Sequence, residues 1–321
     1  MFRKLLLIVA AAGMTLASAT QAEAATNLAV GTLAPKGSPC MSKFQDFSDK
    51  VKTDTGGEII LDFRTYSDEQ TMYGDIEKGV LAGGAMTAVG LSKIYQDVLI
   101  FQLPGMFANW GKLDKARDGM KGDLDSAFNA KGYTILGWGD VGAAKIMTDG
   151  KEVHVPGDLA GLGSYVLIGD QIGPAFWSKL GNAPTQVTVP EIFTKLNSVI
   201  NVVVAPPLVA EQFQWASKLK TITGITAGFG IGALVFKTSA VPGDKMTTIK
   251  DRGKDAASAL TGSIRGADGQ AFARLKTRKT FVDLNDGEKK QWNDKFAEIR
   301  SGLRGTTFTA AVYDKISGLA K

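Results

Sequence analysis

The chain has 321 residues, of which 44% are hydrophobic, enough apolar material for two cores. One cysteine and one histidine exclude an internal disulfide and any Cys/His metal cluster, so stability must come from burial. A net charge of +5, with lysines and arginines scattered among aspartates and glutamates and no basic run interleaved with aromatics, excludes a nucleic-acid surface.

Arg3 and Lys4 precede an apolar run from Leu5 to Ala12, and Ala22-Glu-Ala24 supplies a small-x-small site. This is the pattern of a signal peptide over 1–24, cleaved after Ala24, which sends the mature protein to the periplasm. The apolar run is much shorter than the roughly 20 residues that span a bilayer, so no membrane-spanning anchor is expected. Cys40 lies far beyond the run without a lipobox-like context, which argues against a lipid anchor.

Next, Asn27 to Thr32 and Glu58 to Phe63 read as strands flanking a helix. Ser38 suits its N-cap, Pro39 its first turn, and Gly56-Gly57 its end, with Cys40, Phe44, Phe47 and Val51 on one face. On that face Cys40 is a small core residue, not a nucleophile, because no base is near it in sequence. A second helix follows Asp68-Glu69, whose charges complement its dipole, and runs to about Leu81. Ala85 to Val89 reads as a short strand, Gly111 to Lys131 as a helix, and Tyr133 to Trp138 and Ala143 to Thr148 as two more strands.

The later half reads as a strand Gly163 to Leu167, a helix near Gln171 to Leu180, and a helix opened by the capping box Thr188-Val-Pro-Glu191. A β-rich run Val199 to Ala205, a helix Leu208 to Leu219 and a Gly-punctuated strand Gly228 to Phe236 follow. Trp292, Phe296, Ile299 and Leu303 form a stripe at helical spacing, read as packing and not as a cofactor site. The strand–helix alternation argues an α/β fold. No Gly-x-Ser-x-Gly occurs, His154 reads as a surface loop residue, and Gly228 to Gly232 opens no helix, so neither a hydrolase triad nor a phosphate loop is expected.

Six segments carry a family resemblance: Gly31-Thr-Leu-Ala-Pro-Lys-Gly-Ser-Pro39, Val89-Gly-Leu91, Gln102-Leu-Pro104, Leu136-Gly-Trp-Gly139, Asp158-Leu-Ala-Gly-Leu-Gly-Ser-Tyr165-Val-Leu167 and Val203-Val-Ala-Pro-Pro207. Together, from about Asn27 to Thr238, the chain resembles the solute-binding subunit of TRAP (tripartite ATP-independent periplasmic) transporters of the DctP type. The resemblance implies a two-lobed periplasmic-binding-protein-like fold with a ligand cleft between the lobes and interdomain crossings that form a hinge. The expected division is 25–140 with 226–260 as the first lobe and 141–225 with 261–321 as the second. It also implies a receptor, not an enzyme, that hands a small molecule to membrane permease subunits. No cofactor, metal or nucleic-acid partner is expected.

In that family the strand reads Leu-x-Gly-Leu-x-x-Arg-Val, and its arginine pairs with a ligand carboxylate; here Tyr165 stands at the arginine's place. A guanidinium offers five donors in a rigid fork, whereas tyrosine offers one hydroxyl on an apolar ring. The expected ligand is therefore uncharged or largely apolar. Candidate ligand-binding residues are Tyr165, Trp138, Asp140, Leu91, Gly90, Pro35, Phe176, Ala205, Pro206 and Leu208. Burying roughly 200 Å² of apolar ligand surface is worth about 5 kcal/mol before association costs, enough to replace a salt bridge.

Each residue has a competing reading. Tyr165 and Trp138 could be core aromatics, Asp140 a loop cap, and only one of Phe176 and Trp177 can point directly into a cleft. The competing functions are a lipid or hydrophobe carrier that hands cargo to another soluble protein and a conventional organic-acid receptor. A hydrolase or lyase on this scaffold lacks a visible partner for any general acid or base.

Overall fold

A computed structural model describes residues 25–321. The expected signal peptide and its cleavage site at Ala24 lie outside the described residues. Strand β1 (Thr26–Thr32) is followed by α1 (Pro39–Asp54), β2 (Ile59–Thr65), α2 (Glu69–Glu77), β3 (Gly83–Thr87) and the short turn α3 (Ala88–Leu91). Helix α1 forms as its sequence requires: the Ser38 hydroxyl accepts from the Met41 amide at 3.2 Å, Phe44, Phe47 and Val51 are buried, and Gly56 and Gly57 take positive φ beyond its end. Helix α4 (Trp110–Asn129) then leads into β4 (Tyr133–Thr148).

Beyond β4 come β5 (Tyr165–Leu167), α5 (Gly173–Lys179), β6 (Thr185–Val187), α6 (Val189–Lys195), β7 (Val202–Ala205) and α7 (Pro207–Gln212). The capping box expected at Thr188 is present, with Glu191 accepting from the Thr188 amide at 2.8 Å. Strand β8 (Thr221–Lys237) is followed by α8 (Met246–Arg278), β9 (Thr280–Val282), α9 (Asp286–Leu303) and α10 (Ala310–Leu319). The sheet order is β2-β1-β3-β8-β4-β7 with β9 on β8, and β5 and β6 form a separate parallel pair. Among the described residues no helix is long and apolar enough to cross a membrane.

Two differences from the sequence reading place the site. Tyr133 to Trp138 and Ala143 to Thr148 are one continuous strand, and β8 starts at Thr221, seven residues before the expected Gly228. The two long strands pair antiparallel across both halves, with register shifts between Ile135 and Gly137, Asp140 and Gly142, and Ala144 and Met147. A bulge absorbs the extra residue that reads as a break in sequence. Glycines meet across this ladder, Gly139 opposite Gly232 and Gly142 opposite Gly230, leaving space where side chains would stand.

The second difference concerns the C-terminus, expected to belong wholly to the second lobe. Helix α10 packs on α4 of the N-terminal half. Helix α9 touches both halves: it packs on α5, while Arg300 donates to the Pro104 carbonyl at 2.6 Å. Its stripe of Trp292, Phe296, Ile299 and Leu303 is buried as expected.

Candidate ligand-binding site

A cavity of about 410 Å³ lies between the halves. The Gly-rich middles of β4 and β8 form one side, β5, α5, β7 and α7 supply the second half, and the segments after β1 and β3 supply the first. The halves touch over it: the Val189 amide donates to the Ser67 carbonyl at 3.2 Å, and Gln96 donates to Gln171 at 2.6 Å.

Tyr165, Pro35, Phe176, Ala205, Pro206, Leu208 and Asp140 all border this cavity. Tyr165 opens β5, its ring meets Trp215 edge-on at 6.5 Å, and its carbonyl accepts from the Trp177 indole at 2.8 Å. Burial pushes its hydroxyl pKa up, with the nearby Asp170 charge adding to the effect. Phe176 and Trp177 both border the cavity, where sequence allowed one; their rings meet at 83°, so the pair forms a corner and both edges reach it.

Three candidates are elsewhere. Gly137 and Gly139 border the cavity, which turns Trp138 to the opposite face of β4, against Phe128 at 6.2 Å. Leu91, the last residue of α3, is fully buried in the core. The Gly90 amide is engaged by Glu69 at 2.9 Å, and a Cβ on Gly90 would meet Met86 at 2.6 Å.

Asp140 reaches the cavity but is fully committed. Arg117 reaches one oxygen at 2.9 Å and Arg265 the other at 2.5 Å, while Arg265 also grips Asp114 with two bonds of 2.8 and 2.6 Å. The Arg265 bonds hold the Asp114 carboxyl below the usual range, and Asp114 and Asp140 push the Arg265 guanidinium up. The Arg265 guanidinium lies 4.4 Å over the Trp110 ring, which packs on Phe229 of the cavity wall.

Sequence reasoning missed the other half of the aromatic wall and a carboxylate. Phe213, Trp215 and Gln212 border the cavity because the helix expected to run to Leu219 stops at Gln212. Gln214 then takes φ 61°, a left-handed turn that puts Phe213 and Trp215 face to face at 5.4 Å. No sequence signal marks that turn, since glutamine rarely adopts it. Asp170 precedes α5, and one oxygen accepts from the Ile172 and Gly173 amides at 2.8 and 3.1 Å. Burial pushes its carboxyl pKa up, and no ion pair to it is present among the described residues.

Glu69 is a further correction. It is buried, not a surface charge complementing a helix dipole: it accepts from the Thr87 amide at 2.5 Å, the Thr87 hydroxyl at 2.6 Å and the Gly90 amide at 2.9 Å. That clamp fixes the turn carrying Thr87 and Val89 onto the cavity. Burial pushes its carboxyl pKa up to about 7 despite those bonds. Asp68 alone caps α2, accepting from Thr71 at 2.7 Å. His154 is a half-exposed loop residue 3.0 Å from Glu288, and Cys40 is half-buried at the cavity's edge with its thiol pushed up by burial. Among the described residues no cluster of His, Cys, Asp and Glu could hold a metal.

The profile of the bacterial extracellular solute-binding proteins, family 7 (DctP), matches residues 30–223. The chain belongs to the DctP family. No curated protein matches it by sequence. Solved structures give the same DctP fold at low identity. A TRAP periplasmic solute-binding protein of Shewanella oneidensis with bound succinate is 17% identical, with a TM-score of 0.85 over 93% of this chain and 100% of that one. One from Ralstonia eutropha H16 with bound (S)-2-acetolactate is 16% identical, with a TM-score of 0.83 over 92% and 98%. DctP7 of Bordetella pertussis, an extracytoplasmic solute receptor binding pyroglutamic acid, is 16% identical, with a TM-score of 0.82 over 92% and 99%. At this identity the likeness establishes the two-lobed α/β fold, while the site stands on this DctP member's own side chains.

Proposed function

We propose that this protein is the periplasmic receptor of a TRAP-type transporter, closing its lobes on an uncharged, largely apolar small molecule and delivering it to membrane permease subunits. One observation carries the ligand class: among the described residues no lysine, arginine or histidine borders the cavity. Tyr165 stands where the family's ligand-clamping arginine is expected, and Asp140 is occupied by Arg117 and Arg265. Asp170 brings a second carboxyl and no cation to the lining, so an anionic guest would find no positive charge there to offset its desolvation. Aromatic and aliphatic walls favour apolar burial instead.

The competing reading is an organic-acid receptor. It is favoured by the succinate, acetolactate and pyroglutamic acid bound to the structural neighbours. The two readings separate in one measurement, native mass spectrometry and extraction of the small molecule that copurifies with the mature protein. A neutral, apolar compound is the expected result; an organic acid sinks the proposal.

A further inference from the structure

The cavity does not end at the cleft. It continues past Gly139 of β4 as a slot toward α1 and α8, where Cys40, Phe44, Leu260 and Ile264 also border it, while Gly137 is closed by Ala257 of α8. A Cβ on Gly139 would find just one atom within 4 Å, the Thr261 hydroxyl at 3.9 Å, so the glycine leaves a passage that a larger residue would occupy. None of the four slot residues is charged or carries a polar oxygen or nitrogen in its side chain. At the cleft end, Asp170 keeps one carboxylate oxygen without a protein partner among the described residues, and Asp170 and Tyr165 both border the cavity.

Resting on the neutral-ligand reading above, we infer that the ligand is an elongated neutral amphiphile, with a hydroxyl-type head at Tyr165 and Asp170 and an apolar tail in the slot between α1 and α8. A hydroxyl donates to the free Asp170 oxygen and accepts from the Tyr165 hydroxyl without adding charge, which a carboxylate head would do. A tail leaving the cleft toward Cys40 gains from each methylene taken out of water, about fourfold in affinity when the group is fully buried. The slot is continuous with the ligand cavity, which makes the tail of the same molecule its occupant.

The probes are straight-chain primary alcohols from n-butanol to n-decanol, with decanoate as the charged match, added to the mature protein. Quenching or enhancement of Trp177 and Trp215 fluorescence reads binding at the cleft, since both border the cavity. Cys40, the sole cysteine of the chain, reads the slot through its rate of alkylation by iodoacetamide under alkaline conditions. The expected result is affinity that climbs several-fold with each pair of methylenes, and Cys40 protected by decanol and not by butanol. Alcohols that bind with equal affinity at every length, or decanol that binds and leaves Cys40 alkylation unchanged, overturn the tail placement and leave the neutral-ligand reading standing. Decanoate binding with no response to any alcohol overturns both.

Discussion

At the level of single residues, Tyr165 gives the proposed ligand class its sharpest test. Tyr165→Phe keeps the ring against Trp215 and removes the hydroxyl, so affinity for the copurifying ligand should fall by about 1 kcal/mol, roughly fivefold. Tyr165→Ala also removes the aromatic wall and should weaken binding much further. Titration by tryptophan fluorescence checks both, and unchanged affinity in the two variants would take Tyr165 out of the site. Glu69 makes a different prediction. Its folded pKa, about 7, stands above the ordinary 4.5, so the folded chain holds a proton that the unfolded chain has released between those values. Stability from this group is therefore greatest below pH 4.5 and declines as pH rises through 7, by about 3 kcal/mol at most. Urea unfolding of wild type and Glu69→Gln across that range should show the decline in wild type and a flatter profile in the variant; parallel profiles would refute the assignment. Pro35, Tyr165, Ala205, Pro206 and Leu208, expected from sequence at strand ends and the turns after them, border the cavity. Glycines flanking Trp138 suggest an exposed ring in sequence, but in the fold the glycines themselves are the cavity surface. Glu69 and Asp170 stand just before or at helix starts in sequence, and only the tertiary fold shows Glu69 buried and Asp170 on the cavity.

Among the elements, β4, β8 and α8 hold the two halves in register around the cavity. Most of their pattern could be read from period and capping: α1, α4, α6 and α9 lie where their caps and apolar stripes place them. What period could not reveal was continuity. Gly142, at φ 139°, bends β4 without ending it, and its Cα faces Pro206 so closely that a Cβ would lie 2.5 Å from the proline ring. Helix α8 secures that bend, because Asp268 accepts from the Ala143 amide and the Leu208 amide, both at 2.9 Å, tying strand to cavity wall. A second tie comes from Arg265, which joins α8 to Asp140 on β4 and Asp114 on α4. The Asp140 side chain is buried and pairs with both arginines. Asp140→Asn leaves both guanidiniums with Asp114 as their remaining anion and should cost about 3 kcal/mol of stability, the lower end for breaking a buried pair, since the arginines are partly solvated. Chemical denaturation measures it; a loss below 1 kcal/mol would mean that the network is solvated and contributes as a surface pair does.

For the molecule as a whole, function requires that the ligand favour closed lobes over open ones. Shifting such a balance from 1:99 to 99:1 takes about 5.5 kcal/mol of differential affinity. Burial of roughly 200 Å² of apolar ligand surface contributes about 5 kcal/mol, so an apolar guest can drive closure only if most of its surface touches both lobes. The lining meets that requirement, with Val89, Pro35 and Thr87 from one half facing Phe176, Val204 and Trp215 from the other across the Gly-rich strands. Contacts between the halves include the hydrogen bonds of Val189 to Ser67 and Gln96 to Gln171, whose groups water can satisfy when the lobes part. Closure by desolvation has a thermodynamic signature that closure by an ion pair lacks, a negative heat-capacity change as apolar surface leaves water. Calorimetric titration of ligand-free protein with the copurifying compound at several temperatures should therefore give binding enthalpies that become steadily more favourable on heating. Small-angle scattering on the same samples should show a radius of gyration that falls and saturates with occupancy. An enthalpy independent of temperature would remove apolar burial as the driving force, and scattering that stays constant while heat is released would show that binding and lobe closure are not coupled.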